Sequence, residues 1–331
     1  MTRYSVRRLP QNPIIVPGMD ERMGSNIQGP SLIRTPDWIV GPLGRYYLYF
    51  ADHKGGYIRL AFADALAGPW RVHPPGALQL AQSGFPTTPP PTGPTEQPMS
   101  MEARIQARLA PPGTPGVPDA TVDATCPHIA SPDVHVDHHR RRIVMYYHGL
   151  ERFRVQRSRV AVSNDGLTFE QPSAALGPSY FRVFAYDGWV YAMSMPGVFH
   201  RSRDGFGGFE TGPKLFPSDQ RHAALLVRGD ILHVFWTRVG EAPERIYASR
   251  VDLRGDWLAW RAGPAVEVMR PETPWEGAAL PLEPSWRSAI SVPVNQLRDP
   301  CIFQEEDRTY LLYAVQGEHG IAIADLTVDE A

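Results

Sequence analysis

The sequence has little cysteine and no long apolar run, and each shortage argues against a class of protein. Only two cysteines occur among 331 residues, Cys126 and Cys301. A disulfide-stabilised scaffold is therefore not expected, and free thiols are. No apolar segment approaches the ~20 residues that a membrane-spanning helix requires. The first ten residues are basic but lack an apolar stretch, so we predict no signal peptide and expect a soluble, cytoplasmic protein.

The chain also lacks an excess of charge of either sign. Its formal net charge is −2, whereas nucleic-acid-binding domains usually carry a strongly basic face. We therefore expect neither a nucleic-acid nor a membrane partner, and the sequence does not indicate an oligomeric state. Hydrophobic residues make up 43% of the chain, which is enough for a substantial core.

One pattern recurs five times along the chain: an apolar strand, a polar turn, an aromatic-rich strand, a loop and a third strand. β-Branched and aromatic residues cluster in short runs, and Asp-Gly pairs between runs favour tight hairpins. The five aromatic-rich strands are 45–50, 143–147, 190–193, 231–236 and 310–313. Such a repeat predicts an all-β fold, a five-bladed β-propeller. We expect one domain, 1–331, with blades at about 29–73, 126–171, 178–212, 221–262 and 297–326.

Two segments interrupt this rhythm. Residues 83–120 are rich in Pro, Thr and Gly and contain a helix-like patch at 99–109. This insertion is either a flexible surface loop or a lid over the channel mouth. The connection 269–296 is long, aromatic and acidic, and it carries Trp275 and Glu276. It is therefore also a candidate to reach a site at the mouth.

In a propeller blade the innermost strand begins, and the second strand ends, on the same face. Polar residues at these positions are therefore expected to crowd the mouth of the central channel. Those at strand beginnings are Asn26, Gln28, His128, Asp133, Arg182, Arg221, His222, Arg298 and Asp299. Those at strand ends are Asp52, His53, Lys54, His148, Glu151, Arg238, Glu241, Glu244, Gln316, Glu318 and His319. Structural roles also stay open for some of these residues. The Asp299-Pro300 pair is common in turns, and Glu244 can form an ion pair with Arg245.

Cationic side chains are frequent in this set. The residues expected to give the mouth a positive lining are Lys54, Arg182, Arg221, Arg238 and Arg298. Guanidinium groups bind carboxylates in a two-pronged fashion, so an acidic sugar or another small anion is the expected ligand. Tyr180, Trp236 and Trp275 either stack on sugar rings or pack between blades.

Three short motifs, each before a strand and a tyrosine-rich hairpin, carry a resemblance to a known group. They are Gly29-Pro30-Ser31, Ser131-Pro132-Asp133 and Arg298-Asp299-Pro300. From about residue 29 to 326 the chain resembles the five-bladed propeller glycoside hydrolases of families 43, 32, 68, 62, 117 and 130. The resemblance implies cleavage of a small oligosaccharide, from its end, by an acid and a base carboxyl in the channel.

The resemblance carries over to the catalytic residues only in part. Asp133 matches the aspartate that tunes the acid in family 43. The position of that family's base is Gly29, and the region of its acid, 177–182, holds no acidic residue. The substitutes are Asp52 or Asp299 as base and Glu244, Glu276 or Glu318 as acid. His222 is the first candidate for a histidine acid, which family 117 also uses.

The remaining mouth residues are expected to bind substrate. They are His53, Lys54, His128, His148, Arg182, Arg221, Arg238, Trp275, Glu276, Arg298, Glu318 and His319. No cofactor is required, although the histidines leave a single metal ion in the channel open. Two other functions stay open: a lyase with a His or Tyr base, and a carbohydrate-binding propeller without catalysis.

Overall fold

The computed structural model describes residues 2–92, 100–170 and 174–330, and within them five four-stranded antiparallel sheets form. The sheets confirm the predicted five-bladed β-propeller. Residues 93–99 of the insertion, including Met99 of the helix-like patch, lie outside the described residues, as does residue 171 of the predicted second blade. No helix in the described part of the chain is long and apolar enough to cross a membrane.

Each blade is a meander of neighbouring strands, ordered from the channel outward. Blade I contains β2 (Gln28–Arg34), β3 (Tyr46–Ala51), β4 (Tyr57–Ala63) and β5 (Arg71–Gln79). Blade II contains β6 (Ile129–Asp137), β7 (Arg142–Arg152), β8 (Val155–Ser163) and β9 (Gly177–Pro178). Blade III contains β10 (Arg182–Tyr186), β11 (Trp189–Ser194), β12 (Val198–Ser202) and β13 (Glu210–Lys214). Blade IV contains β14 (Gln220–Arg228), β15 (Ile231–Arg238), β16 (Ile246–Asp252) and β17 (Val266–Met269).

Blade V joins both ends of the described chain. Its strands are β18 (Arg298–Glu305), β19 (Arg308–Ala314), β20 (Ile321–Asp329) and β1 (Arg3–Arg8). Strand β1 pairs antiparallel with β20, from Arg3 opposite Asp329 to Arg8 opposite Ala324. The predicted blade at 297–326 lacked this outer strand. The arginine-rich sequence of β1 gave no sign of a partner more than 300 residues away in the sequence.

Local sequence explains why these strands form. All six residues of β3 are buried, because neighbouring blades cover both faces of the sheet. In blade III, Tyr186 pairs with Trp189 across a two-residue turn of Asp187 and Gly188, whose φ angles are 46° and 73°. Positive φ at both central residues is the geometry of the type I′ hairpin, which Asp-Gly favours.

Both cysteines are free, as predicted.

A β-bulge interrupts the beginning of the innermost strand in blades I, II, IV and V. The register shifts across residues 29–30, 131–132, 221–222 and 299–300. Gly29, Ser131 and Asp299 have φ angles of 63°, 50° and 47° at these bulges. Bulges turn side chains away from the ladder and are frequent at rims and active sites. The three motifs of the sequence are therefore the bulges that present side chains at the mouth.

Gly29 has no room for a side chain. A Cβ at this position would lie 2.9 Å from the Ser131 Cα atom. A side chain such as the family 43 base aspartate, which the resemblance led us to compare at this position, therefore does not fit this backbone.

Replacing Gly29 by alanine is expected to lower the free energy of unfolding by about 1–3 kcal/mol more than replacing Gly41 by alanine. Both glycines have a φ of 63°, but nothing lies within 4 Å of a Cβ at Gly41. The Gly41→Ala control therefore introduces the same strain of a positive φ angle but no steric clash of the new Cβ atom. Urea denaturation measures both changes, and equal losses would contradict the assignment.

One short helix lies in the insertion, and a second begins at its last residue. They are α1 (Met101–Gln106) and α2 (Ala120–Thr125), with Ser100 and Asp119 as N-caps. Single-turn 3-10 helices at Leu80–Gln82, Trp257–Ala259 and Pro274–Glu276 complete the described helices. The backbone N–H of Arg287 donates to the Arg108 carbonyl at 2.8 Å, and that of Ser291 donates to the Gly116 carbonyl at 2.8 Å. The insertion thus lies against the connection 269–296.

Candidate functional site

Four charged side chains at the mouth are buried and pair with one another. The Arg298 Nη1 atom lies 2.7 Å from Glu318 Oε1, and Arg221 Nη1 lies 3.2 Å from Glu244 Oε2. Arg298 Nε lies 3.6 Å from the same Glu244 oxygen, which joins the two pairs. Buried charges persist in proteins when they are paired in this way. We call Arg221, Arg298, Glu244 and Glu318 the ion cluster.

The ion cluster holds the connection between blades IV and V. Arg221 donates to the carbonyls of Trp286 at 3.0 Å and Ser288 at 2.6 Å. Glu318 Oε2 accepts from the backbone N–H of Ile290 at 3.2 Å. Sequence analysis placed these arginines as ligands of an anionic substrate, and this expectation finds no support. Their donors are occupied by protein groups, because the connection covers them.

The same surroundings keep Glu318 ionised. Burial raises its pKa, but the charges of His53 and Arg298 outweigh burial and hold the pKa well below the usual range. His53 Nδ1 lies 3.1 Å from Glu318 Oε1, and Asn26 Nδ2 donates to Oε2 at 2.7 Å. Glu318 is therefore poorly suited to act as the acid considered from the sequence.

Asp299 belongs to a second group, which consists of neutral and aromatic side chains. The Tyr180 hydroxyl donates to Asp299 Oδ1 at 3.0 Å. The backbone N–H of Asp299 donates to His222 Nδ1 at 3.3 Å, so the ring proton of a neutral His222 lies on Nε2. That Nε2 is 3.5 Å from Asp299 Oδ1. Asp299 Oδ2 is buried and has no hydrogen-bond partner among the described residues.

This environment favours the neutral form of Asp299. Burial, together with the charge of Glu318, raises the pKa of Asp299 to about 6. Burial and the charges of Arg221 and Arg298 hold the pKa of His222 well below its usual range. His222 is therefore a neutral imidazole beside Asp299, and its Nε2 atom, 3.5 Å from the carboxyl, forms neither an ion pair nor a hydrogen bond of ordinary length with it. A carboxyl group that keeps its proton to about pH 6 is suited to general acid catalysis.

Histidine and tyrosine rings extend this group toward blade II. Tyr180 lies between His222 and His148, with ring centroids 5.4 and 6.0 Å away, and His128 lies 6.2 Å beyond His148. The Arg182 guanidinium lies 4.1 Å from the centre of the Tyr180 ring. We call these residues, with Asp299, the Tyr180 group.

Several polar atoms of the Tyr180 group lack partners among the described residues. They are Asp299 Oδ2, His148 Nδ1, His128 Nε2 and Arg182 Nη2, and all are buried. Burial, reinforced by the charge of Lys54, lowers the pKa of His128 to about 3, so this imidazole is neutral. Buried polar atoms usually have partners. These donors and acceptors are therefore available to the hydroxyl groups of a ligand.

Asp133 lies two residues beyond its bulge and faces the channel. Its Oδ2 atom is 2.9 Å from His135 Nε2 and accepts from the Val183 N–H at 2.8 Å. Burial opposes ionisation, yet the charges of His135 and Arg182 lower the pKa of Asp133 below its usual value. Innermost strands of all five blades surround a channel cavity of about 90 Å³ at this level. The pKa values of Asp133 and Asp299 are thus shifted in opposite directions.

Comparison with known proteins identifies a relative of nearly the same length. The chain is 35% identical over 354 residues to the uncharacterized protein R118 of Acanthamoeba polyphaga mimivirus, and the match covers 97% of this chain and 90% of that protein. This chain belongs to the R118 family. No family model matches the sequence.

Solved structures share the fold of this chain. A glycosyl hydrolase from Bacteroides ovatus superposes with a TM-score of 0.59 at 13% identity, covering 98% of this chain and 93% of that one. A family 130 structure described as targeting β-1,2 mannosidic linkages gives 0.58 at 13% identity, covering 97% and 93%. The α-L-arabinofuranosidase of Lactobacillus brevis gives 0.53 at 11% identity, covering 96% and 92%. At such identities the likeness establishes the propeller architecture.

The loop between β3 and β4 supplies a partly exposed part of the mouth in this member of the R118 family. Asp52 is 31% exposed in its side chain, and its Oδ2 atom lies 3.4 Å from Arg59. The Lys54 ammonium lies 2.7 Å from Asp123 on helix α2. His53 joins this loop to the ion cluster through Glu318. The loop therefore connects the insertion, the connection and blade I.

Other predicted site residues lie in structural positions. Glu276 closes a capping box and accepts from Arg8 Nε at 2.7 Å and from the Tyr313 hydroxyl at 2.9 Å. Trp275 packs against the apolar core between blades IV and V. Arg238 is 36% exposed and lies 3.6 Å from Asp219, apart from the ion cluster. These contacts explain the three residues without a ligand.

His319 and the metal hypothesis complete the predicted set. Burial lowers the pKa of His319, whose Nδ1 atom has no partner in the described part of the chain. No group of three or more His, Cys, Asp or Glu side chains in that part is placed to hold a metal ion. A metal in the channel stays a prediction without a ligand set.

Sequence reasoning missed the role of Tyr180, which it considered only for ring stacking. This residue precedes β10 with a φ of 69°, unusual for a bulky side chain. It therefore resembles the bulge residues of the other blades, although no proline follows it. Asp123 and Ser288 were also missed, because neither lies at the beginning or end of a blade strand.

Proposed function

We propose that this chain is a glycoside hydrolase-like enzyme that cleaves a small carbohydrate, with Asp299 as its general acid. The observation that carries the proposal is the buried Asp299 carboxyl, whose Oδ2 atom has no partner among the described residues and whose pKa is raised to about 6. Glycoside cleavage needs one carboxyl that its surroundings keep protonated. The propeller glycosidases with the same fold support the reaction class.

In this mechanism the proton on Asp299 Oδ2 passes to the glycosidic oxygen as its bond to the anomeric carbon breaks. The Tyr180 hydroxyl holds Oδ1 by a hydrogen bond, and Oδ2, which has no partner among the described residues, carries the proton to the substrate. Water attacks the anomeric carbon and gives its proton to a carboxylate base. We assign this role to Asp52, because its side chain is the more exposed one while Glu244, Glu276 and Glu318 are fully buried.

The nature of the sugar follows less directly. An anionic sugar was expected from the arginines, but Arg221 and Arg298 bind the connection instead. The neutral histidines of the Tyr180 group suit the hydroxyls of a neutral sugar equally well. A lyase with Tyr180 as base is disfavoured, because burial raises the pKa of its hydroxyl well above the usual value.

The pH dependence of kcat/KM tests the role of Asp299. The acid must be protonated in the free enzyme, so kcat/KM is expected to fall about tenfold per pH unit above pH ~6. In Tyr180→Phe this limb should move to higher pH, because the hydroxyl that stabilises the ionised carboxylate is lost. Hydrolysis of a panel of disaccharides supplies the rates, because their leaving oxygens need the proton of the acid. A rate that stays flat to pH 9, or binding without turnover across the panel, would contradict the proposal.

A further inference from the structure

A cavity of about 900 Å³ lies between the insertion and blade II. Its walls combine apolar groups, among them Leu109, Val117 and Leu150, with polar ones such as Thr121 and Gln156. Sites for small molecules usually occupy about 300–1,000 Å³ and have this mixed character. The cavity is thus large enough for a mono- or disaccharide.

The cavity borders the Tyr180 group through two chain segments. Helix α2 forms part of its wall and continues directly into Cys126 and His128. Leu150, another wall residue, follows His148 by two positions on β7. The two histidines at the end of the Tyr180 group therefore lie immediately behind the cavity wall.

A substrate cannot reach Asp299 unless a covering segment moves, since Asp299 is only 1% exposed. The connection is one cover, and the buried ion cluster holds it. Helix α2 is the other, and Asp123 holds it with contacts to Lys54 Nζ at 2.7 Å and Ser288 Oγ at 2.9 Å. The Asp123 side chain is 35% exposed. Ion pairs that water reaches are weaker than buried ones, so α2 is the cover that opens more easily.

We propose that the cavity is the entrance compartment for a carbohydrate and that Asp123 is its gate. The inference rests on the proposed function for the identity of the ligand. Sugar hydroxyls replace Lys54 and Ser288 as partners of the Asp123 carboxylate, and α2 then moves away from the mouth. Asp123 and Lys54 are accordingly specificity-determining residues of the Asp299 site.

Cys126 reports this movement without any substrate. It is the C-cap of α2 and is half-buried, whereas Cys301 lies in the channel wall and burial raises its pKa to about 12. In Asp123→Asn and in Lys54→Met, a thiol reagent such as DTNB is expected to modify Cys126 about 2–5-fold faster than in the native protein. The Cys301 rate should not change.

The two variants control for electrostatics. The charge of Lys54 lowers the pKa of Cys126 and that of Asp123 raises it, so removing them shifts thiol reactivity in opposite directions. A common acceleration therefore reports opening of α2. Asp119→Asn is the matched control, since Asp119 also lines the cavity but serves as the N-cap, a role that asparagine retains. Native rates in both gate variants, or equal acceleration in Asp119→Asn, would overturn the gate.

The ligand is tested separately with xylobiose, mannobiose and cellobiose. At least one is expected to accelerate modification of Cys126 in the native protein, because it opens α2, and Thr121→Trp, which fills the cavity from an exposed position, should abolish that response to the sugar. Acceleration in the gate variants with no change in the native rate on addition of any of the three sugars overturns the carbohydrate assignment. Asp299-dependent hydrolysis with native rates in both gate variants and in Thr121→Trp overturns the entrance while leaving the proposed function intact.

Discussion

Asp299→Asn is expected to lower kcat/KM by roughly 10²–10⁴-fold, the usual contribution of a general acid. Asparagine keeps an oxygen that accepts the Tyr180 hydrogen bond but has no proton to give to the leaving oxygen. The loss should be smaller for glycosides of nitrophenol than for disaccharides, because nitrophenolate leaves without protonation. Rates for both substrate types in the native and variant proteins measure the effect. An equal loss for the two types would place Asp299 in substrate binding rather than in proton transfer.

The same variant is expected to be more stable than the native protein at pH 8. The pKa of Asp299 rises from 3.8 to about 6 on folding, so the folded state binds the proton more tightly. The free energy of unfolding of the native protein therefore falls as pH rises from about 4 through about 6. Asparagine does not titrate, so the variant does not lose this stability. The gain approaches about 3 kcal/mol above pH ~7 and vanishes below pH ~4. Urea denaturation at both pH values tests it, and a variant less stable at pH 8 would contradict the buried-acid assignment.

Arg298→Met is expected to lower the free energy of unfolding by about 3–5 kcal/mol, because it leaves Glu318 and Glu244 as poorly compensated buried charges. The connection should loosen as well, since Arg298 also contacts the Ser288 carbonyl. Methionine has a similar length and keeps the apolar packing of the arginine stem. Urea or thermal denaturation measures the change.

Arg238→Met is the control for this prediction, because sequence analysis treated both arginines as anion ligands. Arg238 is partly exposed and only loosely paired with Asp219 and Glu241. Its loss should change stability by about 0–1 kcal/mol. Similar effects of the two substitutions would contradict the distinction between a buried ion cluster and a surface arginine.

The five blades were predictable because their signal is local. The hairpin of β14 and β15, for example, contains its own apolar runs and its own turn, so it could be recognised without the other blades. Strand β1 could not be recognised in this way. Its partner β20 lies at the other end of the chain, and its arginine-rich sequence suits an edge strand as well as a coil.

The candidate site was predictable in position but only partly in chemistry. Asp299 and His222 were found because polar residues at the beginning of an inner strand can be recognised in the sequence. The burial of Arg221 and Arg298 could not be predicted, since it depends on how residues 286–290 fold back over the mouth. Tyr180 was missed as a partner of Asp299 because 119 residues separate the two.

The protonation state of Asp299 is the central claim, and an NMR titration of the aspartate carboxyl carbons tests it directly. Comparison of the native protein with Asp299→Asn assigns the signal that disappears. A pKa of about 6 for that carboxyl is the predicted result. A value at or below 4, ordinary for an exposed aspartate, would contradict the role of Asp299 as a buried general acid.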